Sequence, residues 1–182
     1  MFVLFKLLVY VVLPFALALM SVRRGRARGD SADGHYLLDR LLFWYLVIAV
    51  GVAGTLSGLS QMFNGEMTAR LNDWPYSPFV VELGCMNLAF GLLGLLCIRI
   101  KGTWWYAVGV GYGIFMALAA YYHIYDYFAH SNTAAGNSPL GIVFWTDLIL
   151  AIALLVLSAL HARPVGVGRE TAAAGWETAL RQ

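Results

Sequence analysis

The stretch LLFWYLVIAVGVAGTLSGLSQMF, residues 41–63, decides the fold. It runs for 23 residues without a charged side chain. About 20 mostly apolar residues are enough to cross the hydrocarbon layer of a bilayer as an α-helix. The stretch therefore predicts a transmembrane helix.

Four more stretches meet the same requirement: residues 2–20, 78–98, 103–125 and 139–160. Apolar residues follow one another without alternation, as in residues 149–157, which excludes the strands of a membrane β-barrel. Only 12% of the residues are charged and 60% are hydrophobic, whereas soluble domains carry about 25% charged residues. We predict an all-α integral membrane bundle of five transmembrane helices, forming a single domain over residues 1–160.

Basic residues predict the orientation of this bundle. Residues 23–28 contain four arginines, and this asymmetry favours an uncleaved first span over a signal peptide ending near Ala16-Leu17-Ala18. We expect the N-terminus outside and the C-terminus in the cytoplasm, with a basic linker at 21–40 and a tail at 161–182. Ten of the 12 basic residues then face the cytoplasm: Arg23, Arg24, Arg26, Arg28, Arg40, Arg99, Lys101, Arg163, Arg169 and Arg181.

Glycines recur at spacings that allow membrane helices to approach closely. Residues 51, 54 and 58 lie in the second span, 84, 91 and 94 in the third, and 109 and 113 in the fourth. Because lipid removes the hydrophobic drive between helices, close van der Waals contact holds them together. We interpret these glycines as packing positions of the bundle.

Polar side chains inside the spans are costly in hydrocarbon and therefore informative. At 1.5 Å per residue from the Ser77-Pro78 and Ser138-Pro139 helix starts, Glu82 lies about 6 Å and Asp147 about 12 Å along their helices. The polar groups inside the spans come from four of the five predicted helices, and all of them lie in the outer half of the bilayer. We predict that they meet in one pocket open to the outside, which contains Glu82, His123, Asp147, Asn87 and Gln61.

Several chemistries fit this polar set. A carboxyl group beside His123 could exchange a proton near neutral pH, and the pocket could also bind a cation or a small ligand. A metal site of Glu82, His123 and Asp147 is a weaker alternative, because no second histidine lies in a span. Two structural alternatives involve no ligand. A buried acid–histidine pair could serve only to fix the register of the helices, or Glu82 could face a water-filled vestibule as ordinary solvated surface.

The sequence also resembles a known family. Trp74-Pro75-Tyr76-Ser77-Pro78-Phe79 with Glu82, then His123, Ala135-Gly136-Asn137 and Asp147, is similar to small bacterial multi-span membrane proteins classed as a domain of unknown function. The resemblance covers roughly residues 40–160, so the first span and the linker look like an addition. It implies a protein of the bacterial inner membrane and directs attention to Glu82, His123, Asn137 and Asp147, but it implies no activity.

Three functions follow as hypotheses. The first is a membrane protein that binds a proton, cation or small ligand in the outer pocket. The second is a non-catalytic accessory or structural subunit of a larger membrane complex, and the third is a metal- or quinone-linked oxidoreductase. The expected partners are the lipid bilayer and a second copy or a larger complex. The small net charge of +2 excludes a nucleic-acid partner, and no motif assigns a cofactor or favours an enzyme.

Overall fold

A computed structural model describes residues 6–29 and 34–162, and within them it contains five helices long and apolar enough to cross a membrane. These are α1 (Leu8–Ala27), α2 (Gly34–Phe63), α4 (Pro78–Leu96), α5 (Thr103–His130) and α6 (Ile142–His161), while the short α3 (Gly65–Leu71) follows α2. The described residues contain no strand. The predicted all-helical fold with five candidate spans is therefore confirmed.

α1 extends beyond the apolar stretch predicted at residues 2–20. α1 continues to Ala27 and α2 begins at Gly34, so most of the linker expected at 21–40 is helical. Arg24 and Arg26 lie in the last turn of α1, where cations interact favourably with the negative end of the helix dipole. These basic residues therefore favour the extension of α1 beyond its apolar stretch. The expected tail lies outside the described residues from position 163 onward.

Of the two helix starts predicted at Ser-Pro pairs, the structure has a helix start at one and not at the other. α4 begins at Pro78 after an extended Ser77, as predicted, although the Ser77 side chain makes no capping hydrogen bond. α6 begins only at Ile142, so the start predicted at Pro139 is wrong. The Ser138 hydroxyl accepts a hydrogen bond from the Leu140 N–H at 3.0 Å, which holds a local turn instead of a helix.

Glycines bring the backbones of α2 and α4 into contact, as predicted. A Cβ placed on Gly58 would lie 2.5 Å from the Leu88 nitrogen and 2.7 Å from the Gly84 oxygen. A Cβ on Gly94 would lie 2.7 Å from the Gly51 nitrogen. Only glycine fits at such separations, so this interface depends on the absence of side chains.

α5 packs along α6 and turns a single stripe of residues toward the core. At about 100° per residue, the buried residues of α5 all fall on one side of the helix. They are Trp105, Val108, Gly109, Tyr112, Gly113, Met116, Ala120 and Asp126. α5 approaches α4 much less closely than it approaches α6, which leaves space between α4 and α5.

The bundle has two ends of different character. We call one the α3 end: it contains α3, residues 131–141 and the start of α1. We call the other the arginine end: it contains Arg26, Arg40, Arg99 and Lys101. The candidate site lies toward the α3 end.

Candidate functional site

A cavity of about 370 Å³ lies among the helices of the bundle and reaches the α3 end. Four of the residues predicted to form a pocket line it: Gln61, Asn87, His123 and Asp147. Its other walls are largely apolar, with Ala53, Leu56, Leu83, Phe115, Met116 and Ala119 among them. The structure thus brings together polar groups from α2, α4, α5 and α6 around one space.

An ion pair forms one wall of the cavity. Lys6 Nζ lies 2.9 Å from Asp147 Oδ1 and 2.8 Å from Oδ2. The two side chains are only 15% and 16% exposed. Lys6 also lies over the Tyr10 ring, 5.5 Å from its centroid. Because a lysine neutralises Asp147, its carboxylate faces the cavity as half of a pair and not as an isolated charge.

A chain of hydrogen bonds forms a second wall. The Asn87 amide donates to Gln61 Oε1 at 2.8 Å, and the Tyr112 hydroxyl donates to Asn87 Oδ1 at 3.3 Å. Asn87 and Tyr112 are buried. Both ends of the Asn87 amide are therefore satisfied, which explains how it is tolerated inside the span.

His123 stands where the cavity meets the α3 end. The indole of Trp74 stacks on its ring, with 5.5 Å between centroids and 6° between planes. Its Nδ1 forms a hydrogen bond with Asn137 Oδ1. Neither nitrogen of His123 bonds to an acid among the described residues, so the acid–histidine pair considered as one alternative is not formed there by His123.

Asp126 lies directly behind this histidine. It belongs to the core-facing stripe of α5 and is 6% exposed, although its sequence position places it at or beyond the membrane interface. Its carboxylate has four partners: Trp74 Nε1 at 3.2 Å, and Asn132 Nδ2, Asn137 Nδ2 and His130 Nδ1 at 2.8 Å each. The carboxylate is thus the centre of a polar network at the α3 end.

The segment that follows α5 folds back to complete this network. Ser131 takes a left-handed conformation at the end of α5. Gly136 donates its N–H to the Leu71 oxygen at 3.2 Å, and a Cβ there would lie 2.6 Å from the same oxygen. Glycine therefore allows residues 131–141 to lie against the end of α3. The next residue, Asn137, is completely buried between His123 and Asp126.

Glu82 does not belong to this site, so its predicted place in the pocket is wrong. Its side chain is exposed, and it forms no hydrogen bond or ion pair with any described residue. At 100° per residue it lies about 180° around α4 from Gly91, which faces α2. Depth along the helix is as expected, but the side chain points out of the bundle.

The metal alternative loses its ligand set for the same reason. Within residues 6–29 and 34–162 no three histidine, cysteine or acidic side chains lie close enough to hold a metal ion. Glu82 is on the outer face of α4, and the Asp147 carboxylate is bound by Lys6. His123 alone does not make a metal centre.

Comparison with known proteins gives a family and nothing more. The model of a family of unknown function, DUF6790, matches residues 5–166. The chain belongs to this family. No curated protein and no solved structure matches it.

The family match corrects one expectation. It begins at residue 5, so the first span and the basic segment are part of the family region and not an addition to it. Lys6 and the whole of α1 therefore lie within that region, as do all the residues around the cavity. The bacterial origin and the Trp-Ser-Pro-Phe-Glu motif remain predictions.

Sequence reasoning missed three residues of the site. Neither charge nor hydropathy placed Lys6, Asp126 or Trp74 at this site, although Trp74 is part of the motif that carries the family resemblance. One signal was available for Asp126: it follows His123 by three residues and so shares its helix face. For Lys6 and Trp74 no local pattern points to the cavity, because their partners are far away in sequence.

Proposed function

We propose that this protein is a multi-pass membrane protein that binds a small amphipathic molecule in the cavity. The observation that carries this proposal is the convergence of Lys6–Asp147, Gln61–Asn87 and His123 on one space of about 370 Å³. Ligand sites commonly have volumes of about 300–1,000 Å³, apolar walls and a few convergent polar groups. The cavity has each of these properties.

The polar groups favour a small molecule over a metal or alkali cation. Divalent cations are usually held by uncompensated carboxylates together with other oxygen ligands, and the only acid that lines the cavity among the described residues is neutralised by Lys6. The apolar walls instead suit a ring or short hydrocarbon. A proton carried by His123 stays compatible with this proposal, because a ligand group can exchange it.

The orientation and the membrane belong to the proposal. We infer that the α3 end faces the outside of a bacterial inner membrane and that the arginine end faces the cytoplasm, because basic residues concentrate at cytoplasmic ends. The cavity would then receive its ligand from the outer leaflet or from the extracytoplasmic side.

A panel of small amphipathic compounds, including quinones, phenols and indoles, tests the binding. The purified protein is melted in detergent with each compound, and a bound ligand raises the melting temperature with concentration. We expect His123→Gln and Asn87→Leu to abolish that increase. Glu82→Gln is the matched control, because Glu82 lies in the same membrane region but outside the cavity. A panel without a stabilising compound, or equal effects of all three variants, contradicts the proposal.

Glu82 favours a second candidate function, that of an accessory subunit. An exposed carboxylate costs about 2.5–3.5 kcal/mol at the centre of a membrane helix, and less near its end. It shares one outward stripe of α4 with Phe79, Cys85, Met86 and Ala89. A helix of another chain that offers a hydrogen-bond donor or a cation at this depth would cover it.

Cys85 offers a test of that contact, since it is exposed on the stripe while Cys97 is buried. Mild oxidation or a short bis-maleimide in native membranes should yield a cross-linked product that disappears in Cys85→Ser. A product of twice the mass identifies a second copy, and another mass identifies a different subunit. The absence of any cross-linked product argues against a second copy packed with its Cys85 close to this Cys85.

A further inference from the structure

We propose that Asp126, acting through Asn137, holds His123 in the tautomer whose proton is on Nδ1, so that Nε2 accepts a hydrogen bond from a donor group of the ligand. The ligand would then carry a hydroxyl or N–H group on an apolar body. This inference rests on the proposed binding function and specifies its ligand class. Asp126 and Asn137 are positioning residues in it, and His123 is the contact residue.

The first step is the state of Asp126 Oδ2. Trp74 Nε1 can only donate, and it lies 3.2 Å from this oxygen. The Asn132 side chain is fixed independently, because its Oδ1 accepts the Ala134 N–H at 3.0 Å. Its NH₂ group therefore faces Oδ2, at 2.8 Å. Two donors of fixed direction make Oδ2 an acceptor without a proton of its own.

The second step is the direction of Asn137. Its side-chain amide lies 2.8 Å from Asp126 Oδ2 and is completely buried. Because this oxygen accepts, the group that faces it must be the NH₂ of Asn137. The carbonyl oxygen of the same amide then points at His123 Nδ1. The accepting Oδ2 of Asp126 thus determines which end of Asn137 the histidine meets.

The third step is the histidine itself. An amide oxygen only accepts, so His123 Nδ1 carries the proton in this hydrogen bond. A neutral imidazole has one proton, and Nε2 is then an acceptor. Nε2 has no hydrogen-bond partner among the described residues, and it is not one of the buried polar atoms left unsatisfied there. Since His123 lines the cavity, a ligand can supply the donor.

Trp74 reinforces the same orientation. It donates to Asp126 Oδ2 and stacks on the imidazole with the two planes 6° apart. Asp126 therefore fixes the plane of the ring through Trp74 and its tautomer through Asn137. Hydrogen bonds behind metal-binding histidines orient their rings in the same way in other proteins, but here the histidine lines a cavity.

Nitrogen NMR of ¹⁵N-histidine-labelled full-length protein tests the tautomer without any ligand. The His123 signals are assigned with His123→Gln. We expect one protonated, pyrrole-type signal from Nδ1 and one unprotonated, pyridine-type signal from Nε2. Asp126→Leu, which removes the accepting oxygens, and Asn137→Leu should both reduce the share of this tautomer. Asp39→Leu is the matched control: it removes the 2.8 Å contact with His161 Nδ1 at the arginine end and should leave His123 unchanged.

Phenol and anisole test the ligand class, because anisole carries a methyl group in place of the hydroxyl proton and so cannot donate a hydrogen bond. Phenol should shift the Nε2 signal and anisole should not, and Asp126→Leu should weaken phenol binding about tenfold, as the loss of one strong hydrogen bond does. A proton on Nε2 in the parent protein, alone or on both nitrogens, overturns the inference even where the variants fail to fold. If the tautomer is as expected and no compound binds, the proposed function fails and the tautomer assignment stands.

Discussion

Lys6 Nζ binds both carboxylate oxygens of Asp147, at 2.9 and 2.8 Å, across 141 positions of sequence. The pair joins the residue two positions before α1 to α6. It also shapes the wall of the cavity that lies nearest the N-terminus. One contact thus links the stability of the bundle to the chemistry of the site.

Lys6→Met should destabilise the protein by about 2–3 kcal/mol, less than a fully buried pair because both side chains keep some exposure. The cause is the Asp147 carboxylate, which loses the ammonium group that neutralises it. Heating in detergent, followed by circular dichroism, should show a melting temperature lowered by about 4–12 °C.

The double variant Lys6→Met/Asp147→Leu is the control, because it tests whether the lost stability comes from the uncompensated charge of Asp147. It removes the second charge together with the first, so it should recover part of the lost stability. The coupling between the two changes measures the pair itself. Independent, additive effects of the two changes would show that the ion pair contributes nothing to the fold.

Gly58→Ala should weaken the contact between α2 and α4. The added methyl group would lie 2.5 Å from the Leu88 nitrogen, so the helices must move apart. Overpacking of this kind costs about 1–3 kcal/mol. Gly111→Ala is the matched control, because its nearest neighbour is the Phe90 side chain at 3.3 Å. An equal loss of melting temperature in both variants contradicts a glycine-dependent interface.

The number and type of the spans could be predicted because hydrocarbon requires long apolar helices, but the facing of each side chain could not be read from hydropathy. Lipid and protein interior are both apolar, so α4 is apolar on all sides except at Glu82 and Asn87. The glycine stripe carries the missing information. Asn87 is separated from Gly84 by three positions and from Gly91 by four, on one face, whereas Glu82 lies opposite to them.

The hydrogen-bond network around Asp126 could not be predicted from the sequence, for a different reason. Asp126 is buried because residues 131–141 fold back over it, and no periodicity describes such a loop. Only the family resemblance pointed to Asn137. The contact of Lys6 with Asp147 could not be predicted either, since the two residues are 141 positions apart. Depth along a helix follows from counting residues, but contacts between distant segments follow only from the packed bundle.

Reporter fusions should place the arginine end in the cytoplasm. A fluorescent protein fused after Gln182 should be bright in bacterial cells, and alkaline phosphatase fused there should be inactive. Fusions that end the chain after Asp73, at the α3 end, should give the opposite pattern. The physical reason is the retention of basic segments on the cytoplasmic side during insertion. A reversed pattern at both positions would mean that the cavity opens toward the cytoplasm.

Ala119→Phe should fill the cavity from the side of α5. Ala119 lines the space, and its replacement places a ring where a ligand would lie. Stabilisation by any compound that binds the parent protein should disappear, while the melting temperature without ligand should change by less than about 3 °C, because the space is already formed. Leu118→Phe on the neighbouring position is the control, since Leu118 is 62% exposed and does not line the cavity. Retained stabilisation in Ala119→Phe would show that the compound binds elsewhere on the protein.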